Sequence, residues 1–66
     1  MNEIKHYKAT VYYLGKEEHM IMNAYSKQEA FIILVGIYRK KLETSKVIIK
    51  IRDLSQEEKT TYKIGV

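Results

Sequence analysis

The chain of 66 residues has neither cysteine nor proline. Without cysteine there are no disulfides and no thiolate metal sites. Two histidines, His6 and His19, are too few for a structural zinc site, so no metal and no cofactor is expected. The lack of cysteine fits a reducing cytosol. Without proline, every segment is free to enter regular structure. Long apolar runs are missing as well. The stretch AFIILVGIY at residues 30–38 is about half the length that crosses a bilayer. Arg39, Lys40 and Lys41 follow it at once, so no membrane partner is expected. The first ten residues carry Glu3, Lys5 and Lys8, unlike the apolar core of a signal peptide. A cytoplasmic protein is the expectation.

The length allows one domain, residues 1–66. A chain this short buries only about 60% of its unfolded surface. Small domains draw further stability from disulfides, metals or self-association, and the composition leaves the last. A homo-oligomer, in the simplest case a dimer, is therefore expected.

Alternation of apolar and polar residues marks the strands. In residues 4–14, Lys5, Tyr7, Ala9, Val11 and Tyr13 fall on one side, and His6, Lys8, Thr10 and Tyr12 on the other. Gly15 in LGKEE (residues 14–18) supplies the positive φ of a hairpin loop, and a second strand is read from His19 to Tyr25. Ser26 and Glu29 have capping-box spacing. They start a helix expected to run to Leu42 or Glu43, with Arg39, Lys40 and Lys41 suited to its negative end. A third strand is KVIIKIRD, with Val47, Ile49 and Ile51 on one face. Ser55 and Glu58 repeat the capping-box spacing and suggest a helical turn before the last strand, KTTYKIGV. The order β-β-α-β-β implies an α+β fold, one helix on a four-stranded antiparallel sheet. The longest, most regular strand belongs in the centre, which gives the order 2-1-3-4.

The stretch NAYSKQEAF, with Ala24, Ser26, Glu29 and Ala30 between strand and helix, carries a resemblance. Over residues 5–52 the chain is similar to small β-β-α-β proteins such as the archaeal ribosomal LX-type domains and to small phage-encoded accessory proteins. The first likeness implies RNA contact. The second implies an accessory or inhibitor protein that binds a host protein.

Two surfaces stand out. A helical stripe centred on Leu34 gathers Ala30, Phe31, Ile37, Tyr38 and Leu42, with Val35 at its edge. Ile32 and Ile33 are left over, and Gly36 points away from the stripe. A glycine inside a helix costs about 1 kcal/mol relative to alanine. The notch it leaves beside Ile32 and Ile33 suits close approach of another backbone, so Ile32, Ile33 and Gly36 are the predicted association face. On the sheet, Tyr7, Val11, Ile49, Ile51, Tyr62 and Ile64 are expected to face the helix. The other side then carries His6, Lys8, Thr10, Tyr12, Ile48, Lys50, Arg52, Lys59, Thr61 and Lys63, with no acid among them. The net charge of +4 is mild, but here it is concentrated. Lys8, Tyr12, Lys50, Arg52 and Lys63 form the predicted charged binding face, and electrostatic complementarity would steer either an acidic protein surface or nucleic acid to it.

No catalytic residues are predicted. Ser26 is used as a cap, Ser45 and Ser55 sit in turns, and no Gly-rich phosphate loop is present. His6 and His19 could meet across the first hairpin, and Glu17, Glu18 and His19 could hold a cation loosely, but neither makes a site on spacing alone. The reading is a non-enzymatic binding module that acts through protein–protein contact. The alternative is an RNA or single-stranded DNA binder using the same basic face.

Overall fold

A computed structural model describes residues 3–66. Alternation in β1 (Lys5–Tyr13) puts Tyr7, Ala9, Val11 and Tyr13 in the interior, while Lys8, Thr10 and Tyr12 face outward. Its partner β2 (Lys16–Ala24) runs antiparallel, with Tyr13 opposite Lys16 and Lys5 opposite Ala24. The connection is thus two residues, Leu14 and Gly15, both at positive φ (49° and 75°). That is the geometry of a tight hairpin turn whose twist matches its strands. The expected five-residue break is corrected: β2 starts three residues earlier than His19, and Glu17 and Glu18 lie within it.

Helix α1 (Lys27–Ile37) begins at Ser26, whose Oγ accepts the Glu29 N–H at 3.1 Å. The Glu29 carboxylate accepts in return from the Tyr25 N–H at 3.2 Å, one residue before the cap. The expected continuous helix is interrupted at Tyr38 (φ −99°, ψ 16°), and α2 (Arg39–Thr44) follows. At that point Tyr38 lays its ring 5.5 Å from Tyr13, and its hydroxyl donates to Glu18 at 2.6 Å. The hydrogen bonds Tyr38 N–H to Leu34 O and Leu42 N–H to Tyr38 O carry the helical ladder across the irregularity. Ser45 closes α2, donating both its N–H and its hydroxyl to the Lys41 carbonyl.

Strands β3 (Lys46–Asp53) and β4 (Lys59–Gly65) complete one antiparallel sheet in the order β2-β1-β3-β4, as expected. The loop between them contains no helical turn. Instead, buried Asp53 accepts the N–H and hydroxyl of Ser55 at 2.9 and 2.7 Å, which hold its carboxyl below the usual aspartate range despite partial desolvation. Gly65, at φ 99°, passes so close to β3 that a Cβ would collide with the Ser45 carbonyl.

Leu34, Ile49, Ile51, Val11 and Val47 are fully buried, and Ala9, Ala24 and Ala30 let helix and sheet approach closely. Phe31 stacks on Tyr62 at 4.1 Å, which fixes that flank of α1 over β4. The helix is turned from the expected orientation: Val35 is half-buried, whereas Ile37 is 62% exposed.

Two outcomes follow for stability. Leu14 occupies a left-handed conformation that costs a branched residue about 1–2 kcal/mol. Leu14→Asn should therefore raise the urea midpoint of unfolding. Burial pushes up the hydroxyls of Tyr7, Tyr13 and Tyr38, aided by nearby Asp53 for Tyr7 and by Glu18 for the other two. Each raised value means that the folded state holds its proton more tightly than the unfolded chain. Their stabilisation is fully present below about pH 10 and is lost as pH rises beyond it. Unfolding free energy measured against pH should fall on the alkaline side, less steeply for Tyr38→Phe.

Candidate basic sheet interface

The helix covers one side of the sheet, and the register decides what gathers on the other. Lys8 stands opposite Arg52, and Arg52 opposite Lys59. Three cations thus lie side by side across β1, β3 and β4. In the next row His19, Thr10, Lys50 and Thr61 are neighbours, and in the third Glu17, Tyr12, Ile48 and Lys63. Together they frame a shallow basin of about 370 Å³. It is lined by Lys8, Thr10 and Tyr12 of β1, His19 of β2, Lys50 and Arg52 of β3, Lys59 of β4 and Glu57 from the loop.

Directly opposed side chains have Cβ atoms only about 4.5–5.5 Å apart, and like charges there are destabilising. Glu57 lines the basin beside the row but forms no ion pair with it. Among the described residues no Lys or Arg nitrogen comes within 4.0 Å of a carboxylate oxygen; the ion pair present is His19–Glu17 at 2.7 Å. Arg52 is positioned by its own loop, donating to the Gln56 carbonyl at 3.0 Å. Lys50 Nζ sits 5.3 Å from the centre of the Tyr12 ring, a cation–π contact. Thr10 hydrogen-bonds to Nδ1 of His19 at 3.2 Å, so the His19 Nε2–H is the group that meets Glu17. That hydrogen bond holds the Glu17 carboxyl below its usual range against some desolvation. Desolvation, with Glu17 beside it, raises the Tyr12 hydroxyl.

Of the predicted charged face, Lys8, Tyr12, Lys50 and Arg52 come together in the basin. Lys63 lies on the same face in the row of Tyr12 but on β4, lining a second hollow with Lys46 and Ile48. Lys59, Thr10 and His19 belong to the site as well. Lys59 was visible in the alternation of the last strand, whereas His19 enters only through the hairpin register. The expectation of a face without acids needs correction, because the early start of β2 brings Glu17 onto it. The same parity turns Glu18 to the helix side, which separates it from Glu17 and His19. Among the described residues no cluster of three metal-ligating side chains is present. His6 and His19 do not meet either: His6 donates to Asn23 at 2.6 Å, and His19 lies two rows away.

The predicted association face lies on the opposite side of the molecule. Ile32 is 61% and Ile33 40% exposed, and open space surrounds Gly36. Among the described residues no helix is long and apolar enough to cross a membrane.

Comparison with protein-family models, with curated proteins and with solved structures finds no match for the chain. The similarity carried by NAYSKQEAF therefore stands on a capped helix start alone.

The opposed cations give a direct measurement. Lys8→Glu, which turns one like-charge pair into an attractive one, should raise the unfolding free energy by about 0.2–1 kcal/mol. Added salt should stabilise the wild type more than this variant, as read from urea titrations at two ionic strengths.

Proposed function

We propose that this chain is a small, non-enzymatic binding module of the cytoplasm that docks its open basic sheet on an acidic surface of another protein. The observation that carries the proposal is the row Lys8, Arg52 and Lys59, opposed across three strands with no described carboxylate within ion-pair distance of it. Stability is spent on this arrangement without return inside the monomer. An external anion supplies the missing counter-charge.

Features of the face favour a protein over nucleic acid as that anion. Tyr12 is the aromatic side chain lining the basin, and its ring is half-buried with Lys50 close to it. Bases stack on free ring faces, usually on several in succession. Half-buried Ile48 and exposed Ile21 instead add apolar area among the charges, as protein interfaces do. A non-enzymatic role is supported by the serines, all three of which serve local structure: Ser26 and Ser45 cap helices and Ser55 bonds to Asp53.

The test is retention on immobilised poly-glutamate and on a mixed-sequence single-stranded oligonucleotide, each at low and high salt. Retention by poly-glutamate, weakened by salt and abolished in Lys8→Glu/Arg52→Glu, is the expected result. Stronger retention by the oligonucleotide, with affinity falling steeply in salt as several counterions are released, would transfer the face to nucleic acid. No retention on either would end the proposal.

A further inference from the structure

The exposed side of α1 carries more than stray apolar residues. At 100° per residue, Glu29, Ile33 and Gly36 of α1 fall within about 60° of one another, spaced four and three apart. Lys40, the second residue of α2, follows four residues on, beyond the irregular Tyr38, where the hydrogen bonds on either side continue the helical ladder. Ile32 and Ile37 flank this line about 70° to either side. Ile32, Ile33 and Ile37 are 61%, 40% and 62% exposed, and a Cβ at Gly36 would meet nothing within 4 Å. The line is therefore an unfilled seam of coiled-coil spacing: acidic at one end, basic at the other, with a knob and a notch between. It faces away from the basic basin, because the helix lies on the other side of the sheet.

We infer that the occupant of this seam is a second copy of the chain, its α1 antiparallel to the first. A two-fold interface requires that if one residue meets another, the reverse contact also forms. The seam meets that condition along its whole length. With the axis midway between Ile33 and Gly36, Ile33 enters the notch at Gly36 of the partner subunit. Ile32 then lies beside Ile32 of the partner subunit on one flank of the seam and Ile37 beside Ile37 of the partner subunit on the other, and Glu29 meets Lys40 of the partner subunit. All these contacts come from a single alignment, with the Ile33–Gly36 and Glu29–Lys40 pairings each occurring twice. A parallel arrangement would oppose Glu29 with its own copy and Lys40 with its own copy. The ends thus select the antiparallel orientation, and the helix dipoles favour it too. The capping role of Glu29 is compatible, since Oε1 takes the Tyr25 N–H and the second oxygen remains for Lys40 of the partner subunit.

In this dimer the helices meet in the middle and the two basic sheet faces point outward in opposite directions. Resting on the reading of that face as a binding surface, the dimer is bivalent, and its hold on a surface with many acidic sites exceeds that of one face.

Sedimentation equilibrium at micromolar chain concentrations tests the pairing. The wild type should sediment at twice the 7.8 kDa of the chain. Gly36→Leu, which fills the notch from a position with open space around it, should halve that mass with its circular dichroism unchanged. Lys40→Glu should weaken association, and adding Glu29→Lys to it should restore the dimer wherever the double variant keeps the wild-type spectrum. A monomeric wild type overturns the inference, as does a dimer that Gly36→Leu and Ile33→Glu both leave intact. On immobilised poly-glutamate, wild type should dissociate at least about tenfold more slowly than Gly36→Leu. Equal dissociation of a dimeric wild type and a monomeric Gly36→Leu overturns the bivalency alone. A dimeric wild type that does not bind poly-glutamate leaves the helix pairing standing and removes the reading of the sheet face.

Discussion

One helical layer on one side of a four-stranded sheet is the constraint from which the rest of the molecule follows. Each strand alternates, so half its side chains must find cover and half cannot. On the covered side the chain places Tyr7, Val11, Val47, Ile49 and Ile51 beneath Leu34, with Ala9, Ala24 and Ala30 admitting the close approach. On the uncovered side, solubility demands polar residues but not residues of one sign. The concentration of Lys8, Lys50, Arg52, Lys59 and Lys63 there goes beyond what solvent exposure requires.

The covered side is anchored at both flanks by aromatic contacts. Phe31 on Tyr62 holds α1 over β4, and Tyr38 reaches across to Tyr13 and Glu18. The second anchor coincides with the break between α1 and α2. The irregular residue lets the side chain settle while the hydrogen bonds on either side persist. A hydroxyl donating to a carboxylate is among the stronger hydrogen bonds available to a small domain, and it joins the helix to the edge strand β2, which has a neighbour on one side alone.

Strand order, element order and the basic face were legible because each depends on alternation, which survives small errors of register. The strand β1 showed its central place by its length and the regularity of its alternation. What depends on a single residue's backbone was not legible. The pair Leu14-Gly15 is a poor match to the Asn-Gly and Asp-Gly turns that announce a two-residue hairpin. The first connection was therefore read too long, and Glu17 was left off the face it shares with Tyr12. The helix orientation failed in part for the opposite reason. With apolar residues nearly all round, the pattern of α1 barely distinguishes one rotation from another, so Ile37 was assigned inward although it is exposed. The rotation is set by stacking with Tyr62 and by Tyr38, both long-range contacts.

That ambiguity has a physical meaning. A helix that needs only to cover one sheet does best with a stripe of apolar residues and a charged back. This one keeps Ile32, Ile33 and Ile37 in solvent around a glycine that weakens it. Meanwhile the sheet keeps like charges opposed, against its own stability. The two departures lie on opposite sides of the same thin molecule, too far apart for one small surface to satisfy both. They therefore call for two different contacts, one apolar and self-complementary in charge, the other predominantly basic. A surface acidic at one end and basic at the other can close on a copy of itself, whereas a surface with a large excess of one sign is repelled by its copy. Self-pairing falls to the helix, and the sheet is left to meet something else.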